Sequence, residues 1–198
     1  MKEIWDKKFS SDEFIYGKEP NNFFKSEIEK LSPGRLISLG EGEGRNIVYA
    51  AKIGWITDAI DFSESAKQKA ELLACENNVQ INYSVTDFKD FVPKENYYDL
   101  VTIIFFHLPN ELKQKMFSDI ITLLKPGGKV IMEVFEKEQL KYNSGGPKSE
   151  ELLYSLEEIV EGLIQLEFIK FSKEIIEIHE GKHHSGKAVV IRFVGEKV

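Results

Sequence analysis

The stretch LISLGEGEGRN (36–46) alternates three glycines with two glutamates between an apolar run and a helical pattern. RLISL (35–39) reads as a buried strand, and GRNIVYAAKIG (44–54) as a helix stopped by Gly54. A glycine-rich turn in that setting is where α/β folds receive ligands. Glycine lets the backbone approach closely, and the helix that follows presents free amides.

Working outward, the same strand–helix rhythm repeats. ITDAID (56–61) is a second strand. SESAKQKAELLACENN is a helix with Ser63 as N-cap and Asn77–Asn78 as its stop. VQINYSV (79–85) is a third strand, and YDLVTIIFF (98–106) a fourth, almost wholly apolar as a central parallel strand should be. NELKQKMFSDIITLL is a helix broken by KPGG (125–128), and KVIMEVF (129–135) is a fifth strand. Residues 136–154 are polar and glycine-bearing and read as a loop. SLEEIVEGLI then opens with Ser155 and Glu158 in capping-box spacing. LEFIKFSKEIIEIH and GKAVVIRFVG are joined by EGKHHS with no helix between them, which requires an antiparallel hairpin. The expected fold is α/β: a Rossmann-like, doubly wound, mostly parallel sheet closed by a C-terminal antiparallel hairpin. The expected organisation is one domain. Residues 1–33 form a helical lid lying over the sheet's edge or its ligand crevice, 34–135 a ligand-binding core, and 136–198 a substrate loop and hairpin.

A chain of 198 residues is long enough for one sizeable core. Its net charge of −7 argues against nucleic acid and against an anionic membrane surface. The one cysteine, Cys75, permits no intrachain disulfide and reads as a small buried helix residue. There is no signal-like apolar core at the N-terminus and no window long enough to span a bilayer, so a cytoplasmic location is expected.

The loop's chemistry narrows the ligand. A dinucleotide fingerprint needs G-x-G-x-x-G, and after Gly40 and Gly42 the third glycine position is held by Arg45. No G-K-[ST] follows, which excludes a P-loop. Glu41 and Glu43 would sit against a pyrophosphate. Like charges about 5 Å apart repel by roughly 3 kcal/mol at an effective dielectric near 20. A cationic guest turns that cost into attraction, and S-adenosylmethionine, with an ammonium and a sulfonium beside one carboxylate, is net cationic. Asp61 ends the second strand about twenty residues on, where nucleoside-binding folds place an acid on the ribose hydroxyls. Asp87 can accept from an adenine amino group and Phe88 can cover the base, with Asp90 as a competing acid.

These residues, taken in order through "LLKPGG", resemble class I S-adenosylmethionine-dependent methyltransferases from end to end. The finer resemblance is to the tellurite-resistance (TehB-like) bacterial branch, in WDKKF…YGKEPNNFF, EQLKYNSGGPKSEELLY and EIHEGKHHSGKAVVIRF. It implies a seven-stranded sheet with a reversed last hairpin, and S-adenosylmethionine as cofactor. The adenosyl contacts carry over onto Gly40, Gly42, Asp61, Phe62, Asp87 and Phe88. Asn46 and the backbone around Phe105 would flank the methionine, and Tyr16 is a candidate lid over the sulfonium. Two positions depart from the family pattern. Ser38 stands where an acid is usual, and Glu41 where a small residue or cysteine is usual, so Glu41 is expected to supply part of the missing acidic function near the ammonium.

The acceptor is expected to be a small molecule, with a chalcogen oxyanion such as tellurite suggested by the branch. Its pocket should lie between the N-terminal segment, Phe106 and His107, the NSGGPK loop and the hairpin. Lys148 could meet an anionic acceptor, with Lys182 or Lys187 assisting. A metal reading of His179, His183 and His184 is disfavoured, because metal ligation needs three or four converging donors and adjacent His183 and His184 cannot share a strand face. The histidines are otherwise a polar turn, acceptor-binding groups or proton carriers. His179 and His107 are the catalytic candidates, with His184 beside the substrate. A module that binds S-adenosylmethionine without transferring methyl, as a sensor or scaffold, is the competing reading.

Overall fold

The computed structural model describes residues 2–11, 13–181 and 184–198. Seven strands form one sheet: β1 (Arg35–Leu39), β2 (Ile56–Asp61), β3 (Asn82–Val85), β4 (Tyr98–Ile104), β5 (Leu124–Phe135), β6 (Leu166–Glu180) and β7 (His184–Lys197). Their order is β3-β2-β1-β4-β5-β7-β6. β1 to β5 run parallel, while β7 is antiparallel to both β5 and β6. Six helices accompany them: α1 (Lys2–Phe9), α2 (Asn22–Ile28), α3 (Arg45–Lys52), α4 (Glu64–Glu76), α5 (Asn110–Leu123) and α6 (Leu156–Leu163).

Alternation along each strand sorts the core into two layers. Ile37, Leu39, Val101, Ile103, Val130 and Met132 pack against Met116, Phe117 and Ile120 of α5 and Ile159 and Leu163 of α6. Leu36, Leu100, Ile104 and Ile131 turn to the other face, against Phe23, Phe24 and Ile28 of α2, Ile47 and Ala50 of α3, and Ala70 of α4. The central parallel strands β1 and β4 are buried on both sides, as parallel strands are. The chain runs from β1 out to β2 and β3 and then returns to β4 on β1's other side. That reversal opens a crevice beyond the strands' carboxyl ends.

The local signals held where they were chemically specific. Ser63 accepts from the Ala66 amide, and Ser155 and Glu158 close a capping box. Elsewhere the structure corrects the reading. β3 starts at Asn82, and β4 ends at Ile104 because Phe105 takes a left-handed φ of 52°. KPGG does end α5, but β5 already begins at Leu124, which pairs with Tyr98, and the irregular register is recovered at Lys129 opposite Leu100. The 136–154 segment contains two short 3₁₀ turns, Lys137–Lys141 and Glu150–Leu152. Cys75 is helical but exposed, since α4 buries Ala66, Ala70, Leu73 and Ala74 instead.

Candidate functional site

The glycine loop occupies the carboxyl end of β1. Gly40, Gly42 and Gly44 all have positive φ, at 68°, 66° and 88°. A Cβ on Gly40 would sit 2.1 Å from the Phe106 ring, and one on Gly44 would sit 2.5 Å from Ala70, so neither position tolerates a side chain. Between them Glu41 folds back over the start of α3. One carboxylate oxygen accepts from the amides of Asn46 and Ile47 at 3.0 and 3.1 Å, and the other accepts from the Ser38 hydroxyl. The protein's own carboxylate therefore fills the anion position that a helix N-terminus offers. Burial pushes its pKa up to about 7 despite those donors.

Glu43 does not face the crevice either. It accepts from the amides of Ile15 at 2.8 Å and Tyr16 at 3.4 Å and pairs with Lys69 at 2.7 Å, with 2% of its side chain exposed. This corrects the simplest form of the loop-charge argument. The two carboxylates face protein donors, and Glu43 is a strut for the N-terminal segment.

Beyond β1 and β2 lies a recess lined by Gly40, Ile60, Asp61, Phe62, Thr86, Phe88 and Phe106, with an empty volume of about 190 Å³. The Asp61 carboxylate accepts from the Gly42 and Ser63 amides, each at 3.0 Å, one at each oxygen. A carboxylate offers about four acceptor positions, so capacity for hydroxyl groups remains. Burial raises its pKa, partly opposed by those amides. Phe88 and Phe106 meet edge to face at 5.4 Å. Asp87 caps the turn after β3 through the Lys89 amide and lies beside Phe88 at the recess rim. Asp90 is exposed. An acid, two phenyl rings and a bare glycine backbone suit a nucleoside, while the filled anion position at α3 does not suit its diphosphate.

The N-terminal segment closes over the loop. Phe9 packs near Gly42, the Tyr16 carbonyl accepts from Arg45, and the Asn21 amide donates to Asn46 Oδ1 at 2.9 Å. Asn21 Nδ2 also bridges Glu133 at 2.7 Å and Glu180 at 2.9 Å. Arg45 pairs with Glu180 at 2.9 Å and Arg192 with Glu133 at 2.6 Å. Burial opposes ionisation of Glu180, but the His184 hydrogen bond and the Arg45 guanidinium outweigh it and hold the pKa at about 2. Sequence reasoning missed this network of Asn21, Glu133, Glu180 and Arg192. Its only local signal is charged residues interrupting apolar strands, as Glu133 does in VIMEVF.

The histidine candidates separate sharply. His179 lies on the exposed face of β6, which corrects its place as first catalytic choice. Strand alternation puts its neighbour Glu180 inward in its stead. His184 is buried at 5% exposure, within 3.3 Å of Glu180 and 4.4 Å from the Tyr16 ring. Burial holds its pKa below the usual imidazole value. His107 stacks on Phe135 at 5.5 Å, with Nδ1 2.9 Å from the Leu152 carbonyl. Lys148 is exposed and donates to its own loop at Tyr142 and Asn143, so it does not reach the crevice, and Lys187 is exposed as well. Lys182 and His183 lie outside the described residues. Tyr16 accepts from Lys8 at 2.7 Å and packs on the His184 ring, and Phe105 stacks on Phe135 at 4.5 Å.

Residues 37–128 match a family model described as a methyltransferase domain. The ubiquinone biosynthesis O-methyltransferase of Coxiella burnetii is 28% identical over 109 residues, covering 54% of this chain and 46% of that protein. The chain thus spans about half the length of the curated relatives it matches. TehB from Haemophilus influenzae superposes with a TM-score of 0.74 at 16% identity, over 100% of this chain and 67% of that one. An S-adenosylmethionine-dependent methyltransferase from Clostridium acetobutylicum superposes with a TM-score of 0.67 at 18% identity, over 98% and 96%. The chain has the Rossmann-like methyltransferase fold these structures share.

Proposed function

We propose that this chain, whose residues 37–128 match a methyltransferase domain, is an S-adenosylmethionine-dependent methyltransferase acting on a small-molecule acceptor. S-adenosylmethionine is the cofactor that the matched domain and the superposed fold imply. The observation that carries the reading is the pairing of an anion position filled by Glu41 with an aromatic recess edged by Asp61. That pairing favours a nucleoside without phosphate.

When bound, the cofactor supplies a methyl group already activated on sulfur. The chain's task is therefore to hold donor and acceptor in line and to keep water out. Asp61 takes the ribose hydroxyls, Phe62 and Phe88 flank the base, and Asp87 accepts from its amino group. Gly40 and Gly42 admit the adenosyl group against bare backbone. Glu41 and Asn46 lie toward the methionine end, where Glu41, its carboxylate turned onto the Asn46 and Ile47 amides and the Ser38 hydroxyl, fixes the loop against the start of α3. Phe105, held left-handed at a φ of 52°, presents its backbone there. Tyr16 covers the site.

The TehB-like branch rests on the motifs of the sequence, and the superposition on TehB at 16% identity supports the shared fold. A chalcogen oxyanion as acceptor is less well supported, since Lys148 and Lys187 both face solvent. The substituent at position 38 favours a second reading, a binding module without turnover. Calorimetry with S-adenosylmethionine and S-adenosylhomocysteine tests the first step, and no heat at millimolar ligand discards the reading. Asp61→Ala should weaken binding about tenfold or more, on the usual strength of charged hydrogen bonds. Tight binding without methyl transfer to hydroxyl, thiol, amine or oxyanion acceptors would favour the module.

A further inference from the structure

Four buried side-chain polar atoms among the described residues have no hydrogen-bond partner: Trp55 Nε1, Thr57 Oγ1, Thr102 Oγ1 and His107 Nε2. The first two lie at the amino end of β2, away from the crevice, and Thr102 lies in the middle of β4. His107 is the one at the carboxyl end of the sheet, three residues past β4, where this fold receives ligands. Its tautomer is set by its surroundings. The Leu152 carbonyl, 2.9 Å from Nδ1, can only accept, so Nδ1 carries the hydrogen and Nε2 keeps a lone pair. A buried acceptor left unpaired costs free energy, which a donor from a guest would recover.

The surroundings are aromatic. His107 lies parallel to Phe135 and 6.0 Å from Tyr154, while Phe105 at 4.5 Å and His184 at 5.3 Å press on Phe135 from other sides. Tyr16 closes the cluster against His184. The neighbouring polar groups each have a protein contact. Tyr154 donates to the Phe106 carbonyl, Tyr16 accepts from Lys8, and His184 Nδ1 faces Glu180.

Resting on the methyltransferase reading above, we infer that the acceptor subsite lies at this aromatic cluster and takes a neutral aromatic hydroxyl compound whose O–H donates to His107 Nε2. An ionised oxyanion has only lone pairs to offer a lone pair. Burial holds the His107 pKa at about 3, so the ring stays neutral and offers an anion no charge at ordinary pH. The aromatic faces select the body of the guest, and Nε2 selects its donor.

The test uses the full chain, with S-adenosylhomocysteine titrated first and then held at saturation. 2-Naphthol and 2-methoxynaphthalene, which differ by the donor hydrogen, are compared by calorimetry, with selenite as a competitor. The expected result is naphthol binding about tenfold or more tighter than its ether, on the strength of one buried hydrogen bond. That preference should collapse toward unity in His107→Phe, and selenite should not compete. Equal binding of naphthol and ether, a preference that survives His107→Phe, or displacement by selenite overturns the proposal. If S-adenosylhomocysteine itself does not bind, the methyltransferase reading falls and takes the subsite with it. Nitrogen-15 NMR of the wild-type histidine rings provides a check that needs no variant. An unprotonated Nε2 resonance of His107 that moves on adding naphthol supports the subsite, and a protonated or unmoved one refutes it.

Discussion

Glu41 is a buried carboxylate held by two amides and a hydroxyl, and its raised pKa has a consequence for stability. In the folded state the proton is retained up to about pH 7, against 4.5 for a free glutamate carboxyl. Between those values the folded chain binds more protons than the unfolded one. Stability therefore falls as pH rises through that window and stays lower above it, by roughly 3 kcal/mol. Glu180 has the opposite sign. Its pKa near 2 adds stability that is complete above 4.5 and lost as pH falls toward 2. In Glu41→Gln the amide oxygen can accept from Asn46 and Ile47 while its NH₂ donates to Ser38. Urea unfolding should show this variant gaining on the wild type from pH 5 to about pH 7 and levelling off above, while S-adenosylmethionine binds it more weakly. A stability difference constant across that range would contradict the burial argument. The place of Asp61, at the end of β2 and on the recess, was legible because it follows from strand length and spacing alone. The choice between His179 and His184 was not legible, because it depends on which face of the hairpin meets Tyr16 and Glu180.

The segment between α1 and α2 has little regular structure, and its position depends on side chains of the glycine loop and α3. Glu43 takes the Ile15 and Tyr16 amides, Arg45 takes the Tyr16 carbonyl, and Asn46 takes the Asn21 amide. Gly181, at the hairpin tip with a φ of +64°, packs so closely that a Cβ would lie 2.1 Å from the Ile15 carbonyl. Such a segment should open locally, without global unfolding. Glu43→Ala is expected to speed amide exchange at Ile15 and Tyr16 about tenfold, the value of one lost charged hydrogen bond. The amides of β1 and β4 should keep their protection. Unchanged exchange at Ile15, or equal loss across the sheet, would show that Glu43 is not the strut. The sequence placed this segment over the sheet's edge or its crevice, yet GEGEG alone could not say that one glutamate serves the helix and the other the N-terminal segment.

As a whole, the molecule brings three sequence-distant pieces together at the carboxyl end of the sheet: the β1 loop, the turn after β4, and the β6–β7 hairpin, joined through Tyr16, Arg45, Glu180 and Phe105. Ligand in that junction should stabilise the folded state by mass action. At a hundredfold excess over Kd the gain is about 2.7 kcal/mol. For a chain of this size that corresponds to a thermal shift of roughly 5–10 °C, at about 2–4 °C per kcal/mol. Differential scanning fluorimetry should register it with S-adenosylhomocysteine and not with NADH. A shift with NADH would mean that the α3 terminus accepts a diphosphate after all. The succession of strands and helices, the doubly wound sheet and the closing hairpin could be read from the chain because they rest on near-neighbour patterns: apolar runs, caps and connection lengths. The direction of each carboxylate and the burial of each histidine could not. Those depend on partners far apart in the chain, 28 residues between Ile15 and Glu43 and 135 between Arg45 and Glu180, which meet only once the sheet has assembled.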